Sequence, residues 1–433
     1  MRLAILGGGG FRVPLVYAEL LRRPELGVRE LVLADPDPAR LAVISRMAVS
    51  TPAFSVRLAG TVAEAVTGAD FVFSAIRVGG TAGRVADERR AVRAGLLGQE
   101  TVGAAGLSYA LRTLPAAWQI ARTVADLAPD AWLINFTNPA GLITEACRPE
   151  LGDRVIGICD SPAGLVARAA RALGRPAEDV VPDYVGINHL GWLRALRWQD
   201  EDLLPGLLAD PDRLNSIEEG RLFGPGWLRR LGSIPNEYLY FYYHSRELAA
   251  AQRAGRTRGE QLAGEQAEFY AAAAAEPGRT AELWERTRRS REQSYLAEAR
   301  SSERDAADLA GGGYQRIALQ LMHALSGGPS RRLILNVPAG NSSGPLPADL
   351  VIETDCMVDG TGARPLPVAP ADLHQLGLIS AVRASERAII AAARDRSYDG
   401  ALHGLTIHPL VASEQAARQV LDELLDSEPG LLG

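Results

Sequence analysis

The chain has 433 residues, enough for two hydrophobic cores, since a single core stops growing near ~250–300 residues. With 47% hydrophobic residues, 23% charged residues and a formal charge of −6, it reads as a folded globular protein with no broad basic surface for nucleic acid. Three cysteines (Cys147, Cys159, Cys356) exclude a disulfide framework, no apolar run reaches the ~18–20 residues of a membrane span, and the chain starts directly on a strand without a signal-like segment, so a cytoplasmic protein with no membrane partner is expected.

In chain order, short apolar runs at Leu3–Leu6, Glu30–Ala34, Asp70–Ala75, Ala131–Asn135 and Val155–Ile158 alternate with helix-like stretches at Val13–Arg22, Pro38–Ala48 and Tyr109–Asp126. Strands apolar on both faces and separated by amphipathic helices predict successive βαβ units and a parallel sheet. The rest is less regular. A helix is predicted over Val166–Leu173, a strand over Asp183–Leu196 carrying Asn188 and His189, and helices over Arg258–Ala275 and Leu309–Leu325. Strands are expected at Arg332–Val337 and Leu350–Val358, and closing helices at Leu373–Arg394 and Leu410–Leu425. The expected fold is α/β: a Rossmann-like domain over residues 1–170 and a larger mixed α+β domain over residues 171–433.

The first strand runs into Gly7-Gly8-Gly9-Gly10-Phe11-Arg12 and then a helix. Glycines here permit a tight turn and close approach of a pyrophosphate, and the helix amides behind them favour its charge. Asp35 ends the second strand, 28 positions after Gly7, where a carboxylate accepts ribose hydroxyls and disfavours a 2′-phosphate. NAD is therefore expected, held by Gly7, Gly9, Gly10, Phe11, Arg12, Asp35 and Asn138. The fingerprint is incomplete, because Arg12 stands at its third glycine position. A plain turn, a phosphate site and a flavin site are the competing readings.

Further candidates lie at strand ends. Asn135 and Asn138 either orient ribose or sugar hydroxyls or cap the next helix. Cys159 and Asp160 follow the strand at 155–158, and Asn188-His189 comes thirty residues later. A thiolate and an imidazole can hold one divalent ion with positions left open for substrate; alternatively they are a core cysteine and a hydrogen-bonded histidine. Arg77 and Glu100 belong either to the cleft or to a network of surface ion pairs. The run Pro235–His244 carries Tyr238, Tyr240 and Tyr242, one of which is a candidate proton-transfer group; the other reading is an aromatic packing stripe.

The segments LGGGGFRVP, IRVGG, GQET, NFTNPAG, GICDSP, GINHLGW and IPNEYLYFYY, in this order over nearly the whole chain, resemble glycoside hydrolase family 4, and within it the 6-phospho-β-glucosidases. That family stands outside the two-carboxylate scheme of glycoside hydrolysis. The resemblance implies NAD and Mn2+ or a similar ion as cofactors, Cys159 and His189 as metal ligands and Tyr238 as the base at C2. It implies hydride removal from C3, proton loss from C2, elimination of the aglycone from C1 assisted by Glu100 or Asp160, water addition and re-reduction. Its substrate is a phosphorylated disaccharide or aryl glycoside, contacted by Arg77, Asn135, Asn138, Asp160, Asn188 and Arg246, with Arg304 a further candidate for the phosphate. Self-association as a homodimer or homotetramer is implied in the same way. Asp160 departs from the asparagine of many phospho-β-glucosidases and stands as in the phospho-α-glucosidases, while GGGGF lacks the serine or threonine of many members. The competing functions are a 6-phospho-α-glucosidase or a hydrolase of unphosphorylated glycosides within the same family, a lactate- or malate-type dehydrogenase, and a non-enzymatic sugar or nucleotide sensor.

Overall fold

The computed structural model describes residues 1–294, 313–342 and 344–432. Six parallel strands build the N-terminal half: β1 (Arg2–Leu6), β2 (Glu30–Ala34), β3 (Ser55–Ala59), β4 (Phe71–Ser74), β5 (Trp132–Asn135) and β6 (Val155–Gly157). Their order is β3-β2-β1-β4-β5-β6, the doubly wound Rossmann arrangement, in which the order reverses at β1 and β4. The chain continues through β7 (Val181–Ile187), β8 (Leu190–Trp198), β9 (Glu201–Asp202), β10 (Ile234–Pro235), β11 (Arg331–Pro338), β12 (Val351–Asp359) and β13 (Gly362–Pro365). These strands are antiparallel and extend the same sheet in the order β10-β8-β7-β12-β11, with β11 beside β6.

Alternate side chains of the parallel strands enter different cores. Ala4, Leu6, Val32, Val72 and Leu133 pack with Leu111, Leu114, Leu405 and Leu421, from the helices on one face. Leu3, Ile5, Leu31, Leu33 and Phe73 pack with Phe269, Leu283, Tyr314 and Met322 on the other. Burial on both faces explains why these strands are continuous apolar runs in the sequence. A third core, around Tyr184, Trp192, Leu193, Leu196 and Ile352, lies against the antiparallel half.

Two elements depart from expectation. The stretch 183–196 is a hairpin, with β7 and β8 joined by the two-residue turn Asn188-His189. The stretch 410–425 becomes the helix Glu414–Ser427, and a separate helix Tyr398–Thr406 precedes it; Ser397 and Ser413 cap their N-termini. The helix expected over 309–325 is described from Gly313 to Leu325, and its start lies outside the described residues. Among the described residues, no helix is long and apolar enough to cross a membrane.

A buried ion cluster ties the helices together. Asp87, on helix Gly80–Arg93, accepts from Arg90 at 2.8 Å and from both terminal nitrogens of Arg112 at 2.7 and 2.8 Å. Arg112 then reaches Glu428, and Arg90 reaches Ser427, both at 2.6 Å, which anchors the end of the last helix. Removing one partner of such a cluster leaves buried charge uncompensated. Asp87→Ala should therefore lower the free energy of unfolding by about 3–5 kcal/mol, read by urea denaturation; an unchanged midpoint would show that the cluster is structurally idle.

Candidate active site

One deep cavity, of about 1080 Å3, opens at the C-terminal ends of the parallel strands. Its walls include Gly7, Gly10, Phe11 and Arg12 after β1, Asp35 after β2, Arg77 after β4, Asn138 after β5, and Cys159 and Asp160 after β6. His189, from the β7–β8 turn, and Tyr238, from the segment after β10, complete it.

The glycine-rich turn has little freedom. A Cβ on Gly7 (φ 87°) would lie 2.4 Å from the carbonyl oxygen of Ala75, and one on Gly9 would meet the Leu41 nitrogen at 2.8 Å. Gly7 and Gly8 donate to the Ala34 carbonyl, and Gly10 donates to that of Gly7. Gly9 donates to Asp35 at 2.9 Å. Three aromatic side chains then bond the turn from the opposite side: Tyr270 to the Gly9 carbonyl (2.7 Å), Trp284 to that of Phe11 (2.7 Å) and Tyr314 to that of Arg12 (2.9 Å). The amides of Phe11 and Arg12, just before helix Val13–Leu21, have no acceptor among the described residues. They suit an anion.

Arginines crowd the adjacent wall. Glu100 pairs with Arg77 at 2.8 Å and Arg84 at 2.6 Å. Burial opposes its charge, but Arg84, Arg77, Arg291 and Arg12 outweigh burial and hold it down to about 2. Glu100 is thereby the anchor of two arginines. Burial also works against the Arg12 charge, and Asp160, Tyr314, Tyr238 and Glu100 more than restore it. For Arg291 the balance goes the other way: burial and then its neighbour Arg12, against a smaller pull from Glu100, push it down to about 9. This wall has more guanidinium charge than carboxylate to meet it.

The same cavity is lined by two soft donors, Cys159 and His189. The Cys159 thiol is raised well above its ordinary value by burial, then by Glu353 and Asp160. His189 is 3% exposed. Burial lowers it to about 3, so its imidazole is neutral, and its Nδ1 has no hydrogen-bond partner among the described residues. A neutral imidazole with an orphaned nitrogen and a thiol on the same cavity wall form a donor pair suited to a borderline-soft divalent ion. Among the described residues, no group of three or more His, Cys, Asp or Glu could hold a metal, so two protein donors would leave coordination positions for a ligand. His189 has φ 64°, a left-handed conformation uncommon outside glycine. Its ring stacks on Tyr238 at 3.7 Å between centroids and 6° between planes.

Of the three candidate tyrosines, Tyr238 lines the cavity. Tyr240 instead stacks on His244, and Tyr242 lies near His408. Three expected contact residues are not on the cavity lining. Asn135 is buried with its amide spent on Thr137, Ala140 and Thr144, so it shapes the strand end and does not face the cavity. Arg246 is exposed on helix Ser245–Ala254 and off the cavity wall, because its helix turns that position to solvent. Asn188 is likewise off the wall, its side chain bonded to Ala140 and Glu353. Arg304 lies outside the described residues.

Sequence reasoning missed Arg84, Arg291 and Glu237. The first two sit in charged helical stretches that look solvated; the fold buries Arg84, half-buries Arg291 and puts both on the cavity lining. Glu237 is 5% exposed, accepts from Ser161 at 2.6 Å and has its second oxygen unpaired.

A cleft of this kind, at the strand ends of a doubly wound sheet, defines a dinucleotide-fold protein. Residues 2–175 match the family 4 glycosyl hydrolase domain and residues 184–411 match the family 4 glycosyl hydrolase C-terminal domain; the chain belongs to that family. It is 29% identical over 451 residues to a probable 6-phospho-β-glucosidase of Bacillus subtilis, covering 100% of this chain and 97% of that protein. It is 26% identical over 447 residues to a maltose-6′-phosphate glucosidase of the same organism, covering 98% and 95%. The crystal structure of the Thermotoga maritima 6-phospho-β-glucosidase with manganese, NAD+ and glucose 6-phosphate superposes with a TM-score of 0.84, at 27% identity and covering 100% and 99% of the two chains.

Glu237 gives the site a pH signature. Burial raises it from its ordinary 4.5 to about 7, Arg168 and the Ser161 bond opposing and Glu219 and Glu218 adding. A raised acid contributes stability that is full below its unfolded pKa and lost as pH rises to its folded pKa. Between about pH 4.5 and 7, wild type should lose on the order of 3 kcal/mol relative to Glu237→Gln. Thermal melts across that range test this; a pH-independent difference between the two proteins would refute it.

Proposed function

We propose that the protein hydrolyses 6-phospho-β-glucosides, with NAD+ seated on the glycine-rich turn and a divalent ion, Mn2+ or similar, on Cys159 and His189. The observation that carries the reading is that one cavity is lined by the anion-ready turn of Phe11 and Arg12, the donor pair Cys159 and His189, and Tyr238 stacked on that histidine. Family membership, and the ligands of the Thermotoga relative, support it. Asp35 and Asn138 line the same cavity and are assigned to the ribose side of the cofactor.

When bound, NAD+ supplies a reversible hydride acceptor for C3 and the metal a Lewis acid for the neighbouring oxygens. The chain does the rest. Tyr238, as the phenolate, takes the C2 proton. Asp160, beside Arg12 in charge if not in sequence, is assigned to the departing aglycone oxygen. Arg77, Arg12 and Arg291 receive the sugar phosphate, which supplies the anion that their wall lacks. The net reaction is hydrolysis, with the cofactor returned to its starting state in each turnover. The α-linked phosphoglucosides are the second reading, and Asp160 is the observation that favours it.

The test is a panel of 4-nitrophenyl α- and β-glucosides, each with and without the 6-phosphate, assayed with NAD+, Mn2+ and a thiol reductant. The 6-phospho-β compound should turn over only with both cofactors and without NADH accumulating. A preference for the α anomer would overturn the β assignment, a preference for unphosphorylated sugars would overturn the phosphate site, and net NADH release would indicate a dehydrogenase. Cys159→Ser should abolish most of this activity and weaken Mn2+ binding, because a neutral hydroxyl is a poor substitute for thiolate; equal binding and rate would rule out the metal role. Arg291→Leu should raise KM for the 6-phospho substrate by roughly 10-fold or more, the worth of a charge-assisted bond, with NAD+ affinity unchanged; an unaltered KM would take Arg291 out of the phosphate site.

A further inference from the structure

Beneath the cavity floor lies a polar network that the proposed chemistry does not use. Glu353, on the central strand β12, is 1% exposed. Its carboxylate accepts from Asn336 at 3.0 Å, from the Tyr184 hydroxyl at 3.2 Å and from Asn188 at 3.5 Å. Asn188 is one half of the turn that carries His189, and its side-chain oxygen accepts from the Ala140 amide at 2.8 Å. On the other branch, the Tyr184 hydroxyl accepts from Asn236 at 2.9 Å, and the Asn236 oxygen accepts from the backbone amide of Tyr238 at 3.1 Å. One buried carboxylate is thus the shared acceptor of two branches, one ending beside His189 and the other at Tyr238.

All three contacts on Glu353 come from donors, so the site is built for an acceptor with two oxygens. The turn it supports holds a histidine at positive φ, a conformation that persists only where the surroundings over-determine it. The two supported rings then meet face to face.

We propose that Glu353 is the positioning residue of the active site: it fixes the His189 turn and the Tyr238 turn to one another, and so sets the metal-binding imidazole against the C2 base. The inference rests on the assignment of His189 and Tyr238 made above. Glu353 touches neither substrate nor cofactor. It acts through Asn188 on one side and through Tyr184 and Asn236 on the other. Glu353→Gln keeps the volume but turns an N–H towards one of the donors, which displaces at least one turn.

The experiment measures three quantities on the full-length protein: Mn2+ affinity by calorimetry, NAD+ affinity, and solvent-deuterium incorporation at C2 of glucose 6-phosphate in the presence of both. Glu353→Gln should weaken Mn2+ binding and slow C2 exchange, each by about 10-fold or more, as loss of a partner that orients a metal ligand does, with NAD+ affinity unchanged. Tyr184→Phe cuts only the Tyr238 branch. It should slow exchange about 10-fold while leaving Mn2+ affinity at the wild-type value, a split that general loosening of the core would not produce. If Glu353→Gln does not fold, Tyr184→Phe alone decides.

Wild-type Mn2+ affinity and exchange in Glu353→Gln, or wild-type exchange in Tyr184→Phe, would overturn the positioning role. So would an equal loss of NAD+ affinity in either variant. His189→Ala is the control for the underlying reading. If it binds Mn2+ as wild type does, the metal assignment fails and the positioning role falls with it; if it loses Mn2+ while Glu353→Gln keeps it, only the positioning role fails.

Discussion

The whole site hangs on the seam where the parallel and antiparallel halves of the sheet meet. β6 and β11 pair there through Gly157 and Asn336. The approach is close enough to require glycine: a Cβ on Gly157 would lie 2.4 Å from the Thr144 hydroxyl and 2.8 Å from the Asn336 Cβ. Cys159 leaves β6 two residues beyond this pair, so the seam fixes where the thiol emerges. The same Asn336 donates to Glu353, which links the seam to the His189 turn. The doubly wound half alone would hold a dinucleotide. Fused at this seam to an antiparallel half, it gains a second wall that bears an imidazole and a phenol.

That two-walled design explains an electrostatic contrast inside one cavity. The wall from the parallel strands is over-supplied with guanidinium charge, so that Arg291 is pushed down by burial and its neighbours while Glu100 is held fully ionised. Elsewhere on the same lining, burial keeps His189 neutral and, with Glu353 and Asp160, raises the Cys159 thiol; an arriving ion would displace that thiol proton. An anionic end and a neutral, oxygen-rich reacting end of one sugar match these two regions. Under the proposed function, this contrast is what would discriminate phosphorylated from plain glycosides.

The parallel strands were legible in the sequence because both faces are buried, leaving uninterrupted apolar runs such as Leu31-Val32-Leu33. β3 was not, because it is an edge strand whose Leu58 is 47% exposed, so its pattern resembles a loop. Helix Gly80–Arg93 was missed because its sequence looks solvated, although Arg84, Asp87, Glu88 and Arg90 are buried and paired among themselves and with neighbouring helices. The hairpin at 181–198 read as one strand because apolar residues flank its turn so closely that the reversal at Asn188-His189 leaves little compositional trace. At the site, residues placed just after strands were readable from position alone: Gly7, Asp35, Arg77, Cys159 and Asp160 all line the cavity. Asn135 sat one residue too early, still within β5, and was consumed by the strand end. Arg291 and Glu353 carry no local signal, since what makes them notable is what the fold packs around them.

The central proposal is that NAD+ on the glycine-rich turn and a divalent ion on Cys159 and His189 would share one cavity with the bound sugar. Paramagnetic relaxation by Mn2+ in the complex with NAD+ and glucose 6-phosphate measures this directly. Strong broadening of both the sugar C2 and nicotinamide C4 proton resonances, lost when His189 is replaced by alanine, is the expected result. Sharp nicotinamide and sugar resonances at saturating Mn2+ would mean that the ion binds elsewhere, and would contradict the account.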